Sequence, residues 1–179
     1  MGWLNLLLSI LEFLTLCGCQ YEFLSHNERT VFLEKRWYVL LFLLDYFLIM
    51  IFSILAGTDN RHLAVVGELG SVAVLLLGVP VMGAMGFHRK AKNLLLDAFY
   101  GGFLFLTIQG GIQAAYWLVV RMEWNSILLL GNLAMFLKCL LMLIGTRLLI
   151  FFMGKKLKGR LSVKQLLAIL ILPGFSLFY

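Results

Sequence analysis

Predominantly apolar runs of bilayer-spanning length, separated by short polar breaks, constrain this chain more than any other feature. They occupy residues 3–24, 37–56, 63–87, 94–120 and 127–153, and a sixth run opens at 166 and ends at 179. A helix needs about 20 mostly apolar residues to cross the hydrocarbon core of a bilayer. Hydrophobic residues form 62% of the sequence and charged residues 13%, against roughly half and about a quarter in a soluble domain. The pattern predicts an all-α, polytopic transmembrane helix bundle, a single integral membrane domain over residues 1–179 with five full spans and a short sixth. The runs leave no stretch for a soluble domain.

The basic residues alternate with these runs. The first gap holds Arg29, Lys35 and Arg36, and the third holds Arg89, Lys90 and Lys92. The fifth holds Lys155, Lys156, Lys158, Arg160 and Lys164, whereas the second and fourth hold only Arg61 and Arg121. Short cytoplasmic loops are enriched in Lys and Arg. The 11-to-2 split predicts a plasma-membrane protein with its amino terminus outside and its odd-numbered loops inside. The net charge of +6 then meets anionic headgroups of the lipid bilayer, and no nucleic-acid partner is expected. Trp3, Trp37, Trp117 and Trp124 fall near run ends, where interfacial tryptophans belong.

Chemistry-bearing motifs are absent from the sequence. Cys17, Cys19 and Cys139 lie in apolar stretches and form neither a disulfide framework nor a metal-ligand spacing. The segment before Cys17 and Cys19 lacks the positive start of a secretory signal, which favours an uncleaved first span. There is no HExxH, GxSxG or phosphate-binding loop. His26, His62 and His88 fall on both sides of the membrane and cannot share one site; a Cys19–His88 pair has no supporting motif. No catalytic residue, metal or cofactor is expected.

Polar residues within the spans are the candidate functional positions. Lys138 lies near the middle of the fifth run, where an unpaired charge costs at least about 2.5 kcal/mol on insertion scales. Glu12 and Asp45 lie at comparable depth. An ion pair with one of them is expected, Asp45 being slightly favoured, and exchanging the charges at 45 and 138 tests it. Arg147 and Asp97 near the inner edge form a second expected pair, unless Arg147 reaches the headgroups instead. In the outer half, Gln109, Gln113 and Tyr116 share a helix face. With Trp117 and Glu68 they could line a site for an external amphipathic ligand, or they could serve as polar glue between helices. Gly67 with Ser71, Gly110 with Ala114, and Gly111 with Ala115 are small-residue pairs that let helices approach closely. Gly131, Lys138 and Gly145 recur every seven residues on one face. Pro80 and Pro173 are expected to kink their helices.

The segment 166–179 is apolar but only 14 residues long, about 21 Å of helix against a core of roughly 30 Å. It reads as the start of a span in a longer protein. The preceding stretch is Lys155-Lys156-Leu157-Lys158-Gly159-Arg160-Leu161-Ser162-Val163-Lys164-Gln165-Leu166-Leu167, and the first span contains Leu6-Leu7-Leu8-Ser9-Ile10-Leu11-Glu12-Phe13-Leu14. In these segments and in its short basic loops, the chain resembles the membrane sensor region of peptide-sensing histidine kinases of the accessory gene regulator type, whose kinase part is a GHKL ATPase. The resemblance covers the whole chain loosely, in layout and texture. It implies a bundle of six or seven helices that receives an extracellular peptide, followed by a cytoplasmic dimerisation helix and ATPase domain. Neither a phosphoacceptor-histidine helix nor ATP-binding boxes occur here, so the chain corresponds to the sensor part without kinase activity. Homodimerisation is expected by the same analogy.

The expected function is thus a multi-pass sensor or receptor module that passes an external peptide or small-ligand signal to a cytoplasmic output. A small-molecule-binding subunit of a membrane transporter has similar size and helix number, but its amino terminus is expected inside. A non-catalytic membrane assembly protein is the third reading. The processing peptidase that accompanies such kinases is disfavoured, because Arg61-His62-Leu63-Ala64 lacks the basic, Gly-rich context and lies on the wrong side.

Overall fold

The structure, a computed structural model, describes residues 2–26, 30–31, 34–88, 91–122 and 127–156. The sixth apolar run, Pro173, Trp124 and the basic residues Arg29, Arg89, Lys90, Lys158, Arg160 and Lys164 lie outside the described residues. Five helices follow one another: α1 (Gly2–Ser25), α2 (Lys35–Ala56), α3 (Arg61–Gly86), α4 (Ala91–Arg121) and α5 (Ile127–Lys156). All five are long and apolar enough to cross a membrane. Only 11–28% of each span is buried, and Leu40, Leu44, Ile54, Leu69 and Leu77 are each at least 60% exposed. Soluble monomers rarely show apolar surface on this scale; it is consistent with a multi-pass membrane protein, in which lipid covers these faces.

The chain divides into two compact units, each containing part of α4. One takes Leu24–Phe105, and its centre is the α2–α3 hairpin. At the turn, Gly57 N–H donates to the Ser53 and Ile54 carbonyls at 3.2 Å, and the Thr58 hydroxyl donates to Leu55 O at 2.8 Å. The Asn60 side chain then accepts from His62 N–H at 3.0 Å and Leu63 N–H at 3.4 Å, which caps α3. Two helices joined by so few residues must run antiparallel. Their contact depends on missing side chains. A Cβ on Gly67 would overlap the Ala56 nitrogen and come within 2.6 Å of Phe52 O. At Gly70 it would strike the Phe52 ring, and at Gly78 the Asp45 carboxylate. At the far end the Tyr38 hydroxyl donates to Gly86 O at 3.1 Å, and Val31 N–H donates to the same carbonyl at 3.0 Å. Thr30 and Phe87 form an isolated antiparallel bridge there. Gly101 brings α4 against the Leu75 backbone of α3, where no Cβ fits. α3 runs unbroken through Pro80, although proline cannot supply the N–H that would bond Leu76 O.

The described part of the other unit comprises α1 as far as Phe23, the second half of α4 from Leu106, and α5. On α1, Thr15, Leu16, Cys19, Gln20 and Phe23 are buried, a stripe of helical period. Gly111 lets α4 meet α5 closely: a Cβ there would lie 2.7 Å from Lys138 N and 2.8 Å from its Cα. Of the two overlapping small-residue pairs on α4, Gly111 and Ala115 are the buried one. Gly110 is exposed, and Ala114 lies half-buried at the edge.

Candidate functional site

The polar residues of α1 and α5 form a ladder between these two helices. The Lys138 ammonium donates to Glu12 Oε1 at 2.6 Å, with the two side chains 13% and 20% exposed. Next along α1, Thr15 lies within hydrogen-bonding reach of Cys139, and Cys19 within reach of Thr146. All four are buried. The last rung is Arg147, whose Nε lies 3.0 Å from Glu22 Oε1 at a more open position. On α1 the rungs are Glu12, Thr15, Cys19 and Glu22, spaced i, i+3, i+7 and i+10, so they share one face. Numbers rise together on both helices, so α1 and α5 run parallel. That is the arrangement required of two helices an even number of membrane crossings apart.

The ladder revises the expected pairings. Glu12, not the favoured Asp45, holds Lys138. Arg147 meets Glu22 rather than Asp97. Depth alone left these choices open, because neighbouring helices in a bundle need not be neighbours in sequence. Asp45 and Asp97 both belong to the hairpin unit and are buried. Asp45 lies against Gly78 and lines an apolar groove of about 390 Å³ with residues such as Leu48, Phe52, Val74 and Leu77. Glu22, Thr15 and Thr146 were not singled out from the sequence. The heptad-like recurrence of polar residues on α1 is the signal that exposes them.

The expected ligand residues are placed differently. Gln109, Gln113, Tyr116 and Trp117 are all exposed on the outward side of α4. Glu68 is exposed on α3 and belongs to the other unit. Neither glutamine side chain bonds to another described residue. A larger apolar groove of about 790 Å³ lies elsewhere, lined by Trp37, Leu40, Phe47 and Met85 among others. Among the described residues no group of three or more His, Cys, Asp or Glu is placed to hold a metal. His62 and His88 are exposed, His26 is half-buried, and Cys19 is enclosed beside Thr146.

Gly131 and Gly145 were expected to share the Lys138 face. A Cβ at Gly131 would meet nothing within 4 Å, so that glycine is not required for packing. Comparison with protein-family models, curated proteins and solved structures gives no match to this chain.

Proposed function

We infer that the chain resides in the plasma membrane with its amino terminus outside and acts as a sensor or receptor module, converting an external peptide or small amphipathic signal into a helix shift for a cytoplasmic output. The observation that carries this reading is the α1–α5 ladder. Ion pairs close it at both ends, Glu12 with Lys138 and Glu22 with Arg147. Between them the rungs are small side chains, Thr15, Cys139, Cys19 and Thr146, with Met142 of α5 buried among them in sequence. A slide of one helical turn, about 5.4 Å, parts both pairs together, so the seam favours discrete arrangements over continuous drift. A ligand acts on such an element only through unequal contact with its two arrangements. α5 ends at Lys156, inside the basic 155–164 stretch that the charge map assigns to the cytoplasm. It is therefore suited to pass a change at the seam inward.

Disulfide trapping across the seam tests the reading. Cys17 and Cys139 are replaced by Ala, and Thr146→Cys is paired with native Cys19. Oxidation is then followed in membranes with and without the peptide fraction of medium from cells expressing the chain. The reading predicts a change of about fivefold in cross-linking rate, the low end of ordinary coupling between sites. An unchanged rate, with both peptide and small-molecule fractions of the medium, contradicts it.

A further inference from the structure

The outward side of α4 carries a polar seam that lipid cannot satisfy. Gln109, Gln113, Tyr116 and Val120 follow i, i+4, i+7 and i+11, and all four are exposed. Tyr116 and Val120 are each 58% exposed. This spacing of about 3.5 residues is that of a left-handed helix pair. Gln109 lies 12 residues from the outer end of α4 at Arg121, about 18 Å of helix, and so close to the bilayer middle. An amide in hydrocarbon without a hydrogen-bonding partner costs several kcal/mol. Neither glutamine finds a side-chain partner among the described residues. Beside them Gly110 is open, with only Leu141 Cδ1 at 3.9 Å from a notional Cβ, so another backbone can come close.

We propose that this face of α4 is the interface through which two copies of the chain pair within the membrane. Amide chemistry selects a second copy as occupant. Two copies of one chain share a membrane orientation, so a two-fold axis relating them runs along the membrane normal. The two α4 helices are then parallel, and each seam residue meets its own counterpart. A side chain can satisfy its own copy only if it both donates and accepts, and glutamine does so. Gln109 bonds Gln109 of the second copy, and Gln113 does the same one turn further out. Tyr116 and Val120 close the contact above them. The face opposite is already occupied, because Gly111 and Ala115 are buried and Gly111 lies against Lys138 of α5. The pairing rests on the membrane residence inferred above but not on the sensor role.

Cross-linking of the full chain in membranes tests the pairing. With native cysteines replaced by Ala, single cysteines are scanned from 108 to 121 and oxidised. Separately, the dimer dissociation constant of wild type and of the Gln109→Leu/Gln113→Leu variant is measured by energy transfer in liposomes of varied protein-to-lipid ratio. Leucine keeps the volume and removes only the amides, and disulfide trapping of Cys19 with Thr146→Cys reports that the variant still folds. Expected are homodimer cross-links peaking at 109, 113, 116 and 120 with minima at 111 and 115. The leucine variant is expected to dissociate about tenfold more readily, as two interhelical amide contacts imply. Cross-links without that period, a leucine variant as dimeric as wild type, or capture of a different polypeptide at these positions overturns the proposal. Recovery of the chain in the soluble fraction overturns the membrane reading and the pairing together.

Discussion

Replacing Lys138 by methionine removes one charge from the ladder while retaining the side-chain stem against which Gly111 packs; Lys138 Cγ lies 2.9 Å from the Cβ that Gly111 lacks. Glu12 is then left 20% exposed, without the ammonium 2.6 Å away. Removing one partner of a buried pair costs about 3–5 kcal/mol, because the other charge stays desolvated. The low end, about 3 kcal/mol, is expected, since the Glu12 carboxylate is not fully enclosed. Glu12→Gln should cost somewhat less, because the amide still accepts a hydrogen bond from Lys138. The double variant removes both charges and is expected within about 1 kcal/mol of wild type. The coupling energy of this cycle, from reversible unfolding by steric trapping in bicelles, is then about 2 kcal/mol or more. The charge-reversed pair Glu12→Lys with Lys138→Glu should recover most of the stability that either reversal loses. If Lys138→Met costs under about 0.5 kcal/mol, the range of ordinary surface changes, or if the two single effects simply add, the pair does not hold α1 to α5.

Other outcomes follow from the packing. Gly101→Ala and Gly67→Ala drive a Cβ into the backbone of Leu75 and Ala56, and each should lower stability by about 1–3 kcal/mol in the same assay. Gly18→Ala meets nothing within 4 Å and should be neutral or stabilising by up to about 1 kcal/mol, through helix propensity alone. Asn60→Ala removes the acceptor for His62 and Leu63 N–H and should cost about 1 kcal/mol, with faster amide exchange in the first turn of α3. Tyr38→Phe leaves Gly86 O still bonded to Val31 N–H, so its loss should stay near about 0.5–1 kcal/mol.

The helices were legible because apolar runs of about 20 residues leave few alternatives to a helix long enough to cross a membrane. The run 37–56 became Lys35–Ala56, 63–87 became Arg61–Gly86, and 94–120 became Ala91–Arg121. In each case the helix extends into flanking polar residues, which hydropathy undercounts and which can still form helical hydrogen bonds. Gly67 and Gly111 announced close approach, but not to what; Gly110 did so too and is open, and Gly78 and Gly101 were not singled out. Gly67 and Gly78 meet α2, Gly101 meets α3, and Gly111 meets α5. The pairing of Lys138 was not legible from depth, since Glu12 and Asp45 were equivalent on that measure. Only the contact of α1 with α5, far apart in sequence, decides for Glu12. For the glutamines, spacing established a shared face but not its direction. A face that could have lined a pocket points outward instead.

The most direct measurement is the accessibility of single cysteines to a membrane-impermeant maleimide on intact cells, in a background without native cysteines. Asp59 in the α2–α3 turn, Met122 just after α4, Glu34 just before α2 and His88 just after α3 are all exposed. The account predicts labelling of cysteines placed at 59 and 122, and labelling at 34 and 88 only after the cells are opened. Labelling at 34 and 88 on intact cells with protection at 59 and 122 would reverse the orientation. Labelling at all four, or recovery of the chain without membranes, would contradict the crossings themselves.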